Sequence, residues 1–468
     1  MHSMESFLGN GAARWARAGA VVVTIGLLSG CAVGTGGADD GGAEYDAQSD
    51  LSGELQVMGI SISDDVAEAR YEHTTQGLGD EVEVDLIEGD LNIQQLLSAV
   101  AAGDPPDVIY VNRDQVGSLA GRGALVPLES CIDGEQIDME QYRESAIDQV
   151  TLDGAVYGIP EFNQVQLAMA NADLLGAEGL EVSDVDGSDW EALTAADAAL
   201  ARDDDGVEVI GVDPKLPDFF PLWAKANGAD LISADGREAN LDDPAVVEAL
   251  EFTTALYEAH GGFGAIKAKR DAADFFGEGN QFAAGELGAM PMEQWYLNVL
   301  NDVTPDAPMA FATMKTREGD PIAFTGGSAW AIPAGGENAA AACRWAKLMT
   351  GVDAWMAAAD ARAQTRADEG KPFTGLITGN EIADEQIRGM TEDAGDVWSD
   401  GIRAAYEANE ASFSLPANPA DNEFKQIYLD AVNRVLDGRA TPQESLEQGQ
   451  SEAQAALDEA WEVVEENR

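Results

Sequence analysis

Between residues 54 and 111 the apolar positions switch between strand and helix spacing. Glu54-Leu-Gln-Val-Met-Gly-Ile60 has the pattern of a β-strand, and Val82-Glu-Val-Asp-Leu-Ile87 alternates acidic with apolar residues, as a strand with one buried face does. Asp107-Val-Ile-Tyr-Val111 is a short apolar run of the buried-strand type. The polar stretch after Ile60 leads into a helix through Tyr71, and residues 94–102 form a second predicted helix. Strands that alternate with helices predict an α/β fold with parallel pairing. Further helices are expected at residues 189–201, 244–260, 338–350 and 422–436, and no tandem repeat is found.

Near the N-terminus an apolar run over residues 18–28 follows Arg14 and Arg17. It is short for a bilayer span, which takes about 20 residues, and its order is that of a signal peptide. The run ends in Leu28-Ser29-Gly30-Cys31, which resembles the lipobox of bacterial lipoproteins, where a diacylglyceryl group is added to the cysteine thiol and the chain is cut just before it. The resemblance implies that residues 1–30 are a leader, that Cys31 is lipidated, and that the protein is extracytoplasmic, anchored to the outer face of the cell membrane. Residues 31–52, rich in Gly and Asp, are expected to be a flexible tether. Their glycines lack the Lys-Ser/Thr and the preceding strand of a phosphate loop. No further membrane span is evident.

The 468 residues are long enough for two lobes, since one core rarely grows past roughly 250–300 residues. Charge narrows the partners: 86 acidic against 26 basic side chains give a formal net charge of −60. Nucleic acid and anionic lipid surfaces would be repelled, because phosphate binding needs clustered Lys and Arg. Such an acidic, lysine-poor surface is that of a protein adapted to high salt, where self-repulsion is screened. Cys131 and Cys343 make no disulfide framework by themselves, and both a pair and sheltered thiols remain open.

Four stretches then occur in a telling order. Pro106-Asp-Val-Ile-Tyr-Val-Asn-Arg-Asp114 continues to Gly123-Ala-Leu-Val-Pro-Leu128, and Asp153-Gly-Ala-Val-Tyr-Gly-Ile-Pro160 runs to Asn171-Ala-Asp-Leu-Leu175. Phe282-Ala-Ala-Gly-Glu-Leu-Gly-Ala-Met290 comes with Trp295, and Gly326-Gly-Ser-Ala-Trp-Ala-Ile-Pro333 precedes an alanine-rich helix, with Gly438-Arg-Ala-Thr-Pro-Gln-Glu-Ser-Leu446 towards the end. Together these resemble the extracellular solute-binding proteins of ATP-driven importers, in the sugar-binding family that includes the maltose-binding protein. The resemblance implies a type II, two-lobed α/β fold with the ligand in a cleft between lobes joined by hinge crossovers. It assigns residues 53–160 and 327–365 to the first lobe and 161–326 and 366–468 to the second, closing by hinge motion as a monomer. It also implies binding without catalysis or cofactor, and delivery of a small solute, a mono- or oligosaccharide, to the permease subunits of an importer.

A sugar site needs aromatic planes for ring faces and Asp, Glu, Asn, Gln or Arg for hydroxyls. By resemblance, Trp295 is the leading ligand-facing aromatic, with Glu293 beside it and Trp330 at the second crossover. Asp114 and Arg113 follow the strand at Val111, where ligands of open sheets gather. Phe162, Asn163 and Gln164 follow the first crossover proline, and Phe219, Phe220 and Trp223 flank Pro221. Ser61 and Asp64, after the first strand, are further candidates. Where maltose-binding relatives place a stacking tryptophan, this chain has Phe424-Lys-Gln-Ile-Tyr428, which argues for a solute other than maltose.

Rival chemistries find little support. Only His2, His73 and His260 are present, so a multi-histidine zinc site is not expected, and no Gly-x-Ser-x-Gly elbow or Ser-x-x-Lys motif occurs. No carboxylate pair stands out as a glycosidase couple. The Asp203-Asp-Asp-Gly206 turn lacks EF-hand spacing, so no metal is expected there. A receptor-coupled sensor, or a protein binding a non-sugar solute, would share the fold.

Overall fold

A computed structural model describes residues 45, 46, 49, 51–203, 206–391 and 396–466. Cys31, the leader and nearly all of the tether lie outside the described residues.

The apolar runs of the N-terminal third become neighbouring strands. The first sheet has the order Val82–Ile87, Gly53–Met58, Val108–Asn112, Gly326–Ala331, Ile159–Gln164. Gly53 pairs with Val82 and Val57 with Val108, both in parallel, as the alternation of strand and helix predicts. Gly326–Ala331, outside the stretch read as parallel, runs antiparallel to both neighbours, with Ser328 opposite Asn112 and Trp330 opposite Ile159. Connectivity is the reason. The N-terminal strands and Ile159–Gln164 all end at one edge of the sheet, where the chain leaves for the second sheet, and the strand that brings it back must run the other way.

The second sheet has the order Met309–Thr313, Gln166–Asn171, Leu287–Glu293, Ile210–Val212. Only Val165 separates Ile159–Gln164 of the first sheet from Gln166–Asn171 of the second. Gln166–Asn171 is antiparallel to both its neighbours, so these neighbours end where the first sheet's strands end. Two sheets with facing strand ends, each wrapped in helices, form the two-lobed α/β fold.

Local signals set the helix ends. The Asp64 carboxylate accepts the Ala67 N–H at the start of Asp65–Leu78, Asp189 accepts from Glu191 and Ala192 before Trp190–Leu200, and the Asn338 side-chain carbonyl accepts from Ala341 before Ala339–Thr350. Each satisfies an N–H that the first helical turn leaves unpaired. Cys131 and Cys343 are joined in a disulfide, their Cα atoms 5.7 Å apart, which ties helix Glu129–Glu135 to Ala339–Thr350 inside the first lobe's core.

Three expected ligand residues belong to the cores instead. Trp330 has no accessible surface and packs between Tyr110 and Trp345, with ring centroids 5.1 and 5.6 Å away. Phe220 and Trp223 are equally buried in the second lobe, and the Trp223 indole donates to the Pro214 carbonyl at 2.9 Å. Their helix, Phe220–Ala226, turns this face inward and leaves Phe219, at its N-cap, as the aromatic nearest the strand ends.

The C-terminal helices Asp421–Leu436 and Pro442–Glu466 pack on the second lobe's apolar cluster through Phe424, Tyr428 and Leu457. The first of them also meets helix Val116–Gly121, whose Gly117 N–H donates to the Asp421 carboxylate at 2.8 Å. A Cβ on Gly117 would lie 2.3 Å from the Asn418 carbonyl oxygen, so the approach requires glycine.

Candidate ligand-binding cleft

Two adjoining cavities open between the facing strand ends, the place where ligands of open α/β sheets gather. The first, of about 370 Å³, is walled by Asn112 and Asp114 after strand Val108–Asn112, by Asp218 and Phe219, by Glu293 at the end of Leu287–Glu293, and by Phe424, Lys425 and Tyr428. The second, of about 540 Å³, is walled by Ser61 and Asp64, by Trp295 and Asn298, and by Arg70, Tyr110, Glu161 and Trp355. Phe162 and Gln164, the last residues before the crossover, belong to both walls.

Of the expected residues, Trp295, Glu293, Asp114, Phe162 and Gln164 therefore come together. The Trp295 indole donates to Glu293 at 2.7 Å, which fixes the ring plane and occupies its N–H, and Phe276 stacks beside the ring with centroids 6.2 Å apart. Burial raises the Glu293 carboxyl above its ordinary range, although the Trp295 bond pulls the other way. Asp114 pairs with Lys425 at 2.5 Å across the first cavity, so a base from the C-terminal helix faces an acid from the first lobe.

Arg113, at the wall of the first cavity, and Asn163 are both held by their surroundings. The Arg113 side chain has no accessible surface, and burial lowers its guanidinium to about 10. A guanidinium carries five N–H donors, and here each finds an acceptor: Gln149 Oε1, the carbonyls of Phe162, Ser328 and Gly326, and Asn163 Oδ1. Asn163 spends its amide on Asn409. Arg113 has no donor left for a ligand, and Asn163 is shut off by its complete burial. Instead Arg113 staples the strand that leaves the first sheet to the strand that returns to it. Gly327 permits this, since a Cβ there would lie 2.0 Å from the Phe162 carbonyl oxygen.

The second cavity holds a network that the sequence does not announce. Tyr110 donates to Glu161, Glu161 pairs with Arg70, and the Arg70 guanidinium lies 3.9 Å over the Trp355 ring. Arg70 is on helix Asp65–Leu78 and Trp355 on Val352–Asp368, so no local motif links them. Helix pairing alone brings them together. Nearby, Arg362 pairs with Asp64 at 3.0 Å and with Asp65 at 2.5 Å.

Among the described residues no group of three or more His, Cys, Asp or Glu is placed to hold a metal ion. The Asp203 carboxylate lies 2.9 Å from His260 Nδ1 and accepts from it when that nitrogen carries a proton, while Asp204 and Asp205 of the same turn lie outside the described residues. No described helix is long and apolar enough to cross a membrane.

Comparison with known proteins gives a consistent picture. Residues 69–365 match the profile of a family described as bacterial extracellular solute-binding protein. The chain is 21% identical over 373 residues to the maltodextrin-binding protein MdxE of Bacillus subtilis, covering 78% of each chain. It is 24% identical over 269 residues to a maltooligosaccharide ABC transporter solute-binding lipoprotein of Streptococcus pneumoniae, covering 54% of this chain and 57% of that one. Among solved structures, the sugar-binding protein MalE of Xanthomonas citri superposes with a TM-score of 0.69 at 16% identity, covering 88% of this chain and 99% of that one. A protein solved with mannotriose bound gives 0.67 at 19% identity, over 86% and 99%. At these identities the structural likeness speaks for the fold.

Proposed function

The chain belongs to the bacterial extracellular solute-binding proteins, and from that premise we propose that it captures a mono- or oligosaccharide by lobe closure and delivers it to the permease of an ABC importer. The observation that carries this is the chemistry at the junction of the two cavities: a fixed tryptophan plane, a half-buried carboxylate and an amide, on walls contributed by both sheets. Planes grip ring faces and polar groups select hydroxyls, so this set suits a polyhydroxylated solute better than an apolar one. Curated relatives are named for maltodextrin and maltooligosaccharide, which supports carbohydrate as the class.

In this proposal Cys31 carries a lipid that holds the protein at the outer face of the membrane, and the binding body acts as a monomer. Solute favours the closed state to the extent that it binds that state better. It leaves unaltered, with ATP hydrolysis performed by separate subunits. Asp114, Glu293, Phe162, Gln164 and Trp295 are the proposed contacts.

The test is a thermal-shift and calorimetric screen of the mature chain in high salt against maltose, maltotriose, mannobiose and mannotriose. At least one saccharide should raise the melting temperature, and Trp295→Ala should weaken its binding by about tenfold or more. A panel without a saccharide hit, or new reducing ends appearing on incubation, would sink the proposal.

A further inference from the structure

The second cavity's wall is better defined chemically than its open volume suggests. Arg70 and Trp355 are 4% and 3% exposed, and both line it. Arg70 Nη2 donates to the Met349 carbonyl at 2.8 Å and pairs with Glu161. Arg70 Nε and Trp355 Nε1, by contrast, are shielded from water and have no acceptor. Burying an N–H without a partner costs free energy, and although the indoles of Trp190, Trp330 and Trp345 are likewise unmet, of the four only Trp355 lines one of the two cavities.

Acids already outnumber bases around these donors, and Asp90 lines the same wall. Arg70 faces Glu161, and Arg362 faces Asp64 and Asp65. What the wall lacks is therefore an acceptor without net charge, the property of a hydroxyl or ring oxygen rather than of a carboxylate or phosphate. Trp295, which also lines the cavity, supplies a ring plane whose own N–H is taken by Glu293.

Resting on the solute-capture proposal above, we propose that the second cavity seats an uncharged, hydroxyl-bearing ring of the solute, with Arg70 Nε and Trp355 Nε1 donating to one of its oxygens. The ring enters against Trp295, and the wall shifts to bring the two nitrogens into reach. Discrimination follows directly, since an analogue lacking that oxygen leaves both donors unpaired.

The experiment takes the tightest saccharide from the panel, together with its singly deoxygenated analogues, and measures Kd for wild type and Trp355→Phe. That substitution keeps an aromatic ring under the Arg70 guanidinium and removes the N–H together with part of the ring volume. One deoxy position should bind wild type about tenfold more weakly than the parent sugar, and that difference should largely vanish in the variant, which itself binds the parent about tenfold more weakly. Equal losses in both proteins at every position, or parent binding unchanged within about twofold, overturn the inference while leaving solute capture intact. If Trp355→Phe does not fold, Arg70→Lys, which keeps the charge beside Glu161 and removes the Nε donor, goes through the same cycle with the same criteria. A panel in which no saccharide binds overturns the underlying proposal and this inference with it.

Discussion

Arg113 shows how a residue can stand where a ligand contact is expected and do something else. Its five donors all end on the crossover strands or on side chains packed against them, and no carboxylate is among its hydrogen-bond partners. Arg113→Met should cost about 3 kcal/mol or more in urea unfolding, because it strands several buried carbonyl and amide oxygens at once. Retention of wild-type stability would mean that water meets those acceptors. At this scale the sequence is informative where chemistry sits next to a strand end. Trp295, Glu293, Asp114, Phe162 and Gln164 all reach the cavities. It misleads where aromatics cluster, because Phe219, Phe220 and Trp223 look alike along the chain and only the facing of one short helix separates cavity from core. Arg70, Glu161 and Trp355 carry no signal, since nearly 300 residues of chain separate the first from the last.

At the scale of elements, His260 links two helices of the second lobe. Lying just beyond the end of helix Pro244–Glu258, it has its Nε2 2.9 Å from Asp197 on helix Trp190–Leu200 and its Nδ1 2.9 Å from Asp203, which follows that helix. Burial pulls the imidazole down, but the two acids outweigh it and the net shift is upward. Burial likewise raises Asp197. Both shifts mean that the folded state holds protons more tightly than the unfolded chain. The histidine's contribution is therefore complete below its ordinary value near 6.5 and is lost as pH rises through the raised one. The melting temperature should fall with pH across that window, and His260→Gln should flatten the slope. A wild-type profile that rises instead would contradict the assignment. The Asp- or Asn-capped helices Ile93–Ala102, Trp190–Leu200, Pro244–Glu258 and Ala339–Thr350 were legible to within two residues, whereas Asp65–Leu78 runs seven residues past the predicted Tyr71, and Glu381–Arg388, Val397–Glu410 and Val352–Asp368 had no predicted counterpart. In Val352–Asp368 the alanines spread around the helix leave no apolar stripe to detect.

For the whole molecule, a net charge of −60 makes self-repulsion the dominant long-range term, and added salt screens it. The melting temperature should therefore climb between about 0.1 and 1 M sodium chloride, as the Debye length shrinks from about 10 to 3 Å. A steady decline would remove the proposed adaptation to salt. The two-lobed plan was foreseeable from motif order, but the mixed strand directions were not. Those depend on where the chain re-enters the first sheet, which no local pattern encodes.

Gln294 gives the crossover a property beyond connection. Its backbone N–H donates to the Val165 carbonyl, its side-chain oxygen accepts the Val165 N–H, and its amide nitrogen donates to the Asn163 carbonyl. The residues on either side of it are Glu293 and Trp295. If Glu293 and Trp295 hold the solute as proposed, a pull on either is transmitted through one peptide link and three short tethers to the crossover, placing grip and rotation in mechanical series rather than leaving them to communicate through the bulk of a lobe.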